Sequence, residues 1–421
     1  METKAMGISE QIKRYGDVRG LMSRINYGSL YNEHLHQDPK KARGIDGVTK
    51  ETYGKGIWTN LGNLLERMRE YSYLPKPVKR TYIPKANGKM RPLGIPSYED
   101  KLVQAAMARV LNEVYENIFI SCSYGFRPGR GCHDAIRYID RKVMRQPVNW
   151  VLEADIKGFF DHVDHEWLMK FLGHVIKDPV FLRYIKRFLK AGIMEQGKFS
   201  ESIEGTPQGG IISPILANVY LHYVLDVWIT YKVIPSLKGK AFYARYADDF
   251  VILLQSEKEA KEVMGLLKDR LAKFSLEVAE EKTRILPFGS RRGTSESFDF
   301  LGFTIYNGKS RKGKYQVKFR TCVKKLKTKL QIAKEWIYDN MHRGIEELLM
   351  AINRKYRGHC QYYGVNGNYQ MLSKVWHYLK YITHYALRRR GQKHPISWEK
   401  FSEIWKTFIM KPKICVTIWG S

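Results

Sequence analysis

The sequence predicts an α+β protein in which helices alternate with short antiparallel strands, followed by a C-terminal region that is helical throughout. Two β-rich runs, Ala241–Tyr246 and Phe250–Leu254, lie close together in sequence, which indicates a hairpin. The strands are not spaced by a β-α-β rhythm, and this favours α+β over α/β. Beyond Phe319 the apolar spacing predicts helices over Val323–Tyr338, Gly344–Tyr362 and Met371–Leu387.

The N-terminal part of the chain supplies the first helices and a second hairpin. The first 75 residues have a helical pattern interrupted by a loop at Asp38–Gly47, whose glycine and aspartate content marks turns. Two β-like runs follow, Lys79–Pro84 and Arg91–Pro96. An Asn-Gly pair between them is a strong hairpin signal.

Length and cysteine content bound the class of protein. A chain of 421 residues exceeds the size of a single hydrophobic core, so two or three domains are expected. The five cysteines form no C-x-x-C pair and no Cys/His cluster at zinc spacing, which argues against disulfides or structural zinc. Neither a signal peptide nor a run of about 18 apolar residues is present. We therefore expect a cytoplasmic protein without membrane partners.

The charge balance predicts a polyanionic partner. The chain has 72 Lys and Arg against 42 Asp and Glu, a net charge of +30. Residues 309–421 alone contain 25 basic and 6 acidic residues, interleaved with tyrosine and tryptophan. Cations for phosphates beside rings for stacking are typical of a nucleic-acid surface. The alternative is a solvated face of a basic protein whose aromatic residues lie in the core.

Asp248 and Asp249 lie at the tip of the predicted Ala241–Leu254 hairpin. Polymerisation of nucleotides uses two divalent ions about 3.5–4 Å apart, and magnesium prefers hard oxygen ligands. Two adjacent carboxylates repel each other unless a cation offsets their charge, so this pair suits a metal site. By itself the pair is weak evidence, because aspartate is also common in solvated turns.

The surrounding motifs resemble those of reverse transcriptases, in that family's order. Tyr246–Asp249 is similar to the signature turn, and Ala154–Asp161 resembles the motif that supplies a third carboxylate. The other matching segments are Ile83–Pro96 and Ser123–Arg130 (fingers), Gly205–Pro214 (template and nucleotide contacts) and Phe300–Phe303 (primer grip). The resemblance implies a right-hand polymerase with fingers and palm, built from antiparallel sheet plus helices, and an all-helical thumb.

The resemblance also implies an RNA-directed DNA polymerase with two Mg²⁺ ions, for which Mn²⁺ can substitute. The implied metal ligands, which include the three catalytic carboxylates, are Asp155, Asp248, Asp249 and the carbonyl of Ile156. The implied partners are an RNA template, a DNA primer and deoxynucleoside triphosphates.

Five residues are implied to bind the incoming nucleotide. Lys85 and Arg91 are expected at the triphosphate, where fixed cations stabilise developing charge. Phe160 is expected to exclude a ribose 2′-hydroxyl, and Gln208 to lie against the nucleotide. Lys282 is a candidate proton donor to the leaving pyrophosphate, although it also fits an exposed lysine at a helix end.

Within the family, the Gly205–Gly210 segment and the C-terminal region resemble endonuclease-lacking, bacterial group C-like enzymes encoded by group II introns. This resemblance divides the chain into an N-terminal extension with an extra fingers motif (1–75), fingers and palm (76–312), a thumb or maturase domain (313–386) and a basic DNA-binding segment (387–421). The residues expected to contact nucleic acid are Arg127, Arg357, Tyr362, Arg388, Arg389 and Arg390.

The implied function is reverse transcription of intron RNA for mobility, together with binding of that RNA to assist splicing. Because the sequence has no match to the C-terminal endonuclease of many relatives, we expect the primer 3′ end to come from elsewhere. Two alternatives are a free-standing group II-like enzyme in DNA repair or phage defence, and an RNA-binding splicing factor without polymerase activity. The intact carboxylates argue against the latter.

Overall fold

The computed structural model describes residues 6–84, 90–201, 204–205, 209–292, 295–390 and 395–419. It confirms the α+β prediction, with helices and three antiparallel-rich sheets followed by a helical region. The helices are α1 (Ile8–Tyr15), α2 (Tyr27–His36), α3 (Lys50–Gly54), α4 (Ile57–Arg69), α5 (Tyr98–Tyr115), α6 (Cys132–Arg145), α7 (His165–Val175), α8 (Pro179–Leu189), α9 (Ser213–Leu221), α10 (Ile234–Ser236), α11 (Glu257–Ala272), α12 (Val323–Asn340), α13 (Ile345–Tyr363), α14 (Tyr369–Arg388) and α15 (Trp398–Phe408).

The first sheet contains the hairpin predicted from the Asn-Gly signal. Strands β1 (Val78–Pro84) and β2 (Met90–Ile95) pair antiparallel with Pro84 opposite Met90. The turn between them lies outside the described residues. Two short strands, β4 (Ile193–Glu195) and β5 (Lys198–Ser200), extend this sheet in the order β2-β1-β4-β5.

The second sheet is the centre of the molecule. Its strands are β3 (Trp150–Ala154), β6 (Ala241–Tyr246), β7 (Asp249–Leu254) and β8 (Arg284–Pro287), in the order β6-β7-β3-β8. Alternate residues of β7 enter two hydrophobic clusters: Ile252 packs toward α5, α7 and α9, and Val251 toward α6 and the C-terminal helices. The sheet is therefore buried on both faces, and only its strand ends can present polar groups.

The third sheet joins the central region to the C-terminal helices. Its strands β9 (Ser297–Phe300), β10 (Phe303–Lys309) and β11 (Tyr315–Thr321) form an antiparallel meander. Residue 312, where the sequence predicts a domain boundary, lies in the turn between the paired strands β10 and β11, and α12 begins at Val323. The division into domains stays a prediction. The three helices predicted beyond Phe319 are present as α12, α13 and α14.

Helix α15 packs onto the C-terminal bundle, with Trp405 fully buried and its ring 5.9 Å from that of Trp376. All five cysteines are free thiols. None of the helices in the described ranges combines the length and apolarity that a bilayer crossing requires.

Candidate active site

A tight turn between β6 and β7 carries the two adjacent aspartates. Tyr246 pairs with Asp249, so the loop consists of Ala247 and Asp248 alone. Ala247 has a φ of +56°, in the left-handed region that two-residue hairpin loops require at their first position. The turn therefore directs Asp248 and the first residue of β7 away from the buried sheet.

The third carboxylate reaches this turn through the pairing of β3 with β7. Ala154 lies opposite Phe250, so Asp155 follows at the strand end next to Asp249. The backbone carbonyl of Asp155 accepts a hydrogen bond from the amide of Ala279 (2.8 Å), which fixes the chain as it leaves the sheet. Sheet register thus brings together three aspartates from two distant segments.

The electrostatics of the cluster follow from this crowding. Burial raises the pKa of Asp249 to about 6, and the charges of Asp248 and Asp155 add to the shift. Burial likewise raises the pKa of Asp248, with Asp155 contributing. Lys325 and Lys282 oppose these shifts at Asp249. A cation placed next to these carboxylates would therefore be bound favourably.

Lys282 forms an ion pair with the carboxylate of Asp155, and this contact raises the pKa of the lysine. The predicted lysine therefore lies directly at the carboxylate cluster rather than on a remote helix end. Arg91, on β2, is close enough to lower the pKa of Asp248. These two cations come from opposite parts of the sequence.

The donor chemistry of the cluster suits a hard divalent cation, since carboxylate oxygens are the ligands that magnesium prefers. Within the described ranges, three or more Asp, Glu, His or Cys side chains nowhere converge closely enough to coordinate one ion. Asp155 is engaged by Lys282 in this arrangement. The case for a metal ion here therefore depends on the carboxylate donors themselves and on the repulsion between their charges.

A buried ion pair between Arg245 and Asp226 holds the turn from behind. Both side chains are fully buried, and the guanidinium donates to both carboxylate oxygens of Asp226 at 2.5 and 2.6 Å. Its remaining hydrogen bonds go to the carbonyl of Ala247 (2.9 Å), Asn218 Oδ1 (3.0 Å) and Ser123 Oγ (2.8 Å). No sequence motif signals this network, because its members lie far apart in sequence.

A glycine allows the fingers-like segment to pack against the same turn. A Cβ atom at Gly125 would lie 2.4 Å from the amide nitrogen of Ala247, closer than any real contact. The Gly125 carbonyl accepts a hydrogen bond from Asn218 Nδ2 at 2.7 Å. Only glycine permits this approach, so the segment predicted as a fingers motif buttresses the aspartate turn.

A cavity of about 490 Å³ opens beside the carboxylates. Asp155, Asp249 and Lys282 line it on the sheet side, and Lys324 and Lys325 on the helical side. The two α12 lysines were not singled out from sequence, since α12 is basic along much of its length. Their place at the cavity depends on how the C-terminal helices dock.

Phe160 lies just beyond Asp155, in a 3₁₀ turn over Phe159–Asp161, and is half-buried with its ring 5.3 Å from that of Phe159. A Cβ at Gly205 would lie 2.9 Å from the carbonyl oxygen of Phe160. The start of the Gly205–Pro214 segment therefore packs directly against the backbone of this turn. Gln208 and Lys85 lie outside the described residues.

The Phe300–Phe303 segment forms a second tight turn, between β9 and β10. Leu301 and Gly302 both have positive φ (+52° and +81°), as a two-residue hairpin loop of the mirror-image type requires. Tyr362 of α13 donates a hydrogen bond to the Leu301 carbonyl at 2.8 Å. This tyrosine, which is 37% exposed, thereby ties the helical region to the turn.

The structure corrects the prediction that Arg127 contacts nucleic acid. Its side chain is only 1% exposed, and its guanidinium pairs with both carboxylate oxygens of Glu116 at 2.8 and 2.9 Å. The carbonyls of Ile120 and Ser123 accept its remaining hydrogen bonds. Arg127 is therefore a structural residue, because none of its donors faces solvent.

The other predicted nucleic-acid contacts are exposed. Arg357 lies on the solvent side of α13. The basic triplet Arg388, Arg389 and Arg390 ends α14, and Arg390 donates to the Arg343 carbonyl at 2.8 Å. These side chains are accessible to a partner, but none of them lines the cavity beside the carboxylates.

Comparison with known proteins gives one family. A family model described as reverse transcriptase (RNA-dependent DNA polymerase) matches residues 83–305. The chain is 30% identical over 470 residues to the group II intron-encoded protein LtrA of Lactococcus lactis subsp. cremoris, covering 91% of this chain and 74% of that protein. It is 34% identical over 307 residues to protein YkfC of Escherichia coli strain K12, covering 65% of this chain and 78% of that one.

Among solved structures, a telomerase from Candida albicans in complex with a fragment of telomeric RNA matches with a TM-score of 0.46 and 14% identity, over 84% of this chain and 64% of that chain. This likeness is too low to carry an argument about fold or function.

The contribution of the buried Arg245–Asp226 pair to stability can be tested by substitution. Arg245→Met leaves the Asp226 carboxylate buried without its partner, so we expect the unfolding free energy to fall by about 3–5 kcal/mol. Adding Asp226→Leu removes the uncompensated charge and restores most of this loss. Lys261→Met, which breaks an exposed pair with Glu257, changes stability by less than about 1 kcal/mol. Urea denaturation measures all four proteins, and a double variant as unstable as the single one would contradict the interpretation.

Proposed function

The chain belongs to the reverse transcriptases, which are RNA-directed DNA polymerases, and is of the group II intron-encoded type. We propose that Asp155, Asp248 and Asp249 form its catalytic centre. One observation supports the assignment most strongly. The turn bearing Asp248 and Asp249 is held next to Asp155 by sheet register and by the buried guanidinium of Arg245. Such preorganisation is what positioning of a metal and a nucleotide requires.

Reverse transcriptases use divalent metal ions, and we propose that the ions here are two Mg²⁺, with Mn²⁺ as a substitute. The three aspartates and the carbonyl of Ile156 would hold them. Bound there, the ions would supply Lewis-acid activation of the attacking 3′-hydroxyl and neutralise the triphosphate. Lys282, now paired with Asp155, would be released from that carboxylate and face the leaving pyrophosphate as a proton donor.

The nucleotide site is proposed to lie between β2 and the Phe160 turn. Arg91 acts electrostatically on Asp248 and would bind the triphosphate, together with Lys85. Phe160 would meet the sugar at the 2′ position, since its 3₁₀ turn follows shortly after the strand end that bears Asp155. Gln208 is proposed to contact the nucleotide from the segment that begins at Gly205.

Template and primer are proposed to run from the cavity beside Lys325 along the helical region. Lys324 and Lys325 line this cavity, and Arg357 and Tyr362 lie on α13 of the same helical region. The triplet Arg388–Arg390 would contact DNA or RNA phosphates. Arg127 is excluded from this surface because its guanidinium is buried.

We further propose that the natural RNA is a group II intron, which this protein copies during mobility and binds to assist splicing. The similarity to LtrA over 91% of the chain supports this proposal, because it extends through the helical region that would clamp the RNA. Polymerase activity and RNA clamping are separable, since the first depends on the carboxylates and the second on the C-terminal basic surface.

Asp248→Asn removes one proposed metal ligand while preserving the size of the side chain. We expect templated DNA synthesis with Mg²⁺ to fall by about a thousandfold or more, because metal stabilisation of the transition state amounts to several kcal/mol. Primer extension on an RNA template measures the rate, with the exposed Asp269→Asn as matched control. Synthesis by Asp248→Asn at the wild-type rate would refute the metal assignment.

Phe160→Ala opens the proposed 2′ position of the sugar site. Incorporation of ribonucleotides relative to deoxyribonucleotides should rise about tenfold or more, the scale of discrimination that side-chain packing provides. The ratio of kcat/KM for the two nucleotide types gives the measure. Because Phe159 is fully buried beside it, Phe159→Leu serves as a packing control that should leave the ratio unchanged. An unaltered ratio in Phe160→Ala would exclude this residue as the sugar gate.

Intron recognition is tested by competition. A group II intron RNA should inhibit primer extension on an unrelated template at concentrations about tenfold below those of a length-matched control RNA. Replacing Arg388, Arg389 and Arg390 by alanine should weaken intron binding and lower its salt dependence by about three counterions. Equal inhibition by both RNAs would contradict an intron-specific role while leaving the polymerase assignment intact.

A further inference from the structure

A cleft of about 560 Å³ opens in the helical region, away from the carboxylate cluster. Helices α12 and α13 form its walls and α14 its floor. Buried aliphatic side chains line its depth, among them Leu326, Ile352 and Leu379. Ile332 on the α12 wall is 58% exposed, so an apolar surface faces solvent at the mouth. A cleft of this size is within the range of small-ligand sites.

The α13 wall of the cleft contains a glycine in the interior of a helix. Gly358 lies within Ile345–Tyr363, and a Cβ atom there would meet nothing within 4 Å. Glycine weakens a helix interior relative to alanine, and here no neighbouring atom requires it. The absence of a side chain at Gly358 therefore leaves space open on the α13 side of the cleft.

Aromatic rings and cations surround this space. Trp336 and Tyr362 contribute rings to the lining, and none of the described lining residues is acidic. Lys355 Nζ lies 4.5 Å from the centre of the Trp336 ring, and Lys329 also reaches the cleft. An occupant with a flat apolar body and a negative charge fits this combination.

His359 adds a polar group to the lining. Its Nε2 is buried and has no hydrogen-bond partner in the described part of the chain. Burial lowers the pKa of His359 to about 4, so the ring is neutral at pH 7 and can donate from one nitrogen and accept at the other. An unpaired buried nitrogen is unfavourable unless a ligand satisfies it.

We propose that this cleft receives a single unpaired nucleobase of a bound RNA. The base would stack against the aromatic wall and exchange a hydrogen bond with His359, while Lys329 and Lys355 contact the flanking phosphates. An apolar protein segment would fill the cleft equally well, but it would leave the cationic rim and the histidine without partners. The inference deepens the proposed RNA-binding function and depends on it.

The test uses the full chain and a short RNA hairpin with one bulged 2-aminopurine. Two companion RNAs carry an abasic site at the bulge or are fully paired. At fixed salt, wild-type protein should bind the bulged hairpin about tenfold more tightly than the abasic one and quench the 2-aminopurine fluorescence, as stacking of one base predicts. Equal affinities without quenching would overturn the proposal.

Two variants of Gly358 distinguish the effect of filling the cleft from an effect on protein stability. Gly358→Leu fills the cleft from its wall, and should bind all three RNAs about as weakly as wild type binds the abasic hairpin. Gly358→Ala leaves most of the space and should keep the discrimination. Thermal unfolding should show both variants at least as stable as wild type, because each removes a helical glycine.

If Gly358→Leu proves unstable, Ile332→Glu places a negative charge at the cleft mouth instead. It should abolish the discrimination, whereas Leu266→Glu, an exposed apolar residue on α11, should preserve it. Undiminished discrimination in Ile332→Glu would refute the site. A change in oligomeric state with unchanged RNA discrimination would assign the cleft to a protein contact and refute it too. If the wild-type protein bound none of the three RNAs, that result would instead refute the proposed RNA-binding function.

Discussion

The geometry of the aspartate turn depends on the buried Arg245–Asp226 ion pair. A buried charge pair is tolerated only when its remaining hydrogen-bonding groups are satisfied. Here the guanidinium meets that condition by bonding also to Ala247, Asn218 and Ser123. One side chain thereby joins the turn to the helix behind it and to the fingers-like segment. Displacement of any of these elements would leave a buried donor unpaired, which makes the arrangement rigid.

The position of Asp226 depends in turn on an irregular helix. After α9 the helix continues through two π-helical turns, His222–Asp226 and Ile229–Val233, before ending in α10. A π turn adds a residue to the helical repeat and changes which side chains share a face. Asp226 lies at the end of the first such turn, where it accepts bonds from Arg245 and from Tyr243 (2.9 Å). The distortion thus lies in the layer that supports the aspartate turn.

Much of the fold follows from local signals, whereas the support of the site does not. The β1–β2 and β6–β7 hairpins and helices α12 to α14 were predictable because turn residues and apolar spacing act over a few positions. Arg127 was misassigned because an arginine in a basic sequence looks exposed, and its burial depends on Glu116 docking beside it. The role of Asp226 could not be predicted either. Its partner Arg245 lies 19 residues away, and no periodic sequence pattern marks the π turn that positions Asp226.

The distribution of charge links the helical region to the aspartate cluster. Burial raises the pKa of Asp249, and the nearby charges of Asp248 and Asp155 raise it further because the three carboxylates repel each other. The cations that offset it come from separate elements: Arg91 from β2, Lys282 beyond α11 and Lys325 from the start of α12. Lys325 can act on Asp249 only while α12 is docked against the third sheet. Because unscreened charge interactions weaken steeply once water separates the partners, movement of the helical region would alter the potential at the carboxylates. The position of α12 therefore contributes to the electrostatics of the aspartate cluster. Nucleic acid that binds the helices, as proposed above, would influence the three aspartates without contacting them.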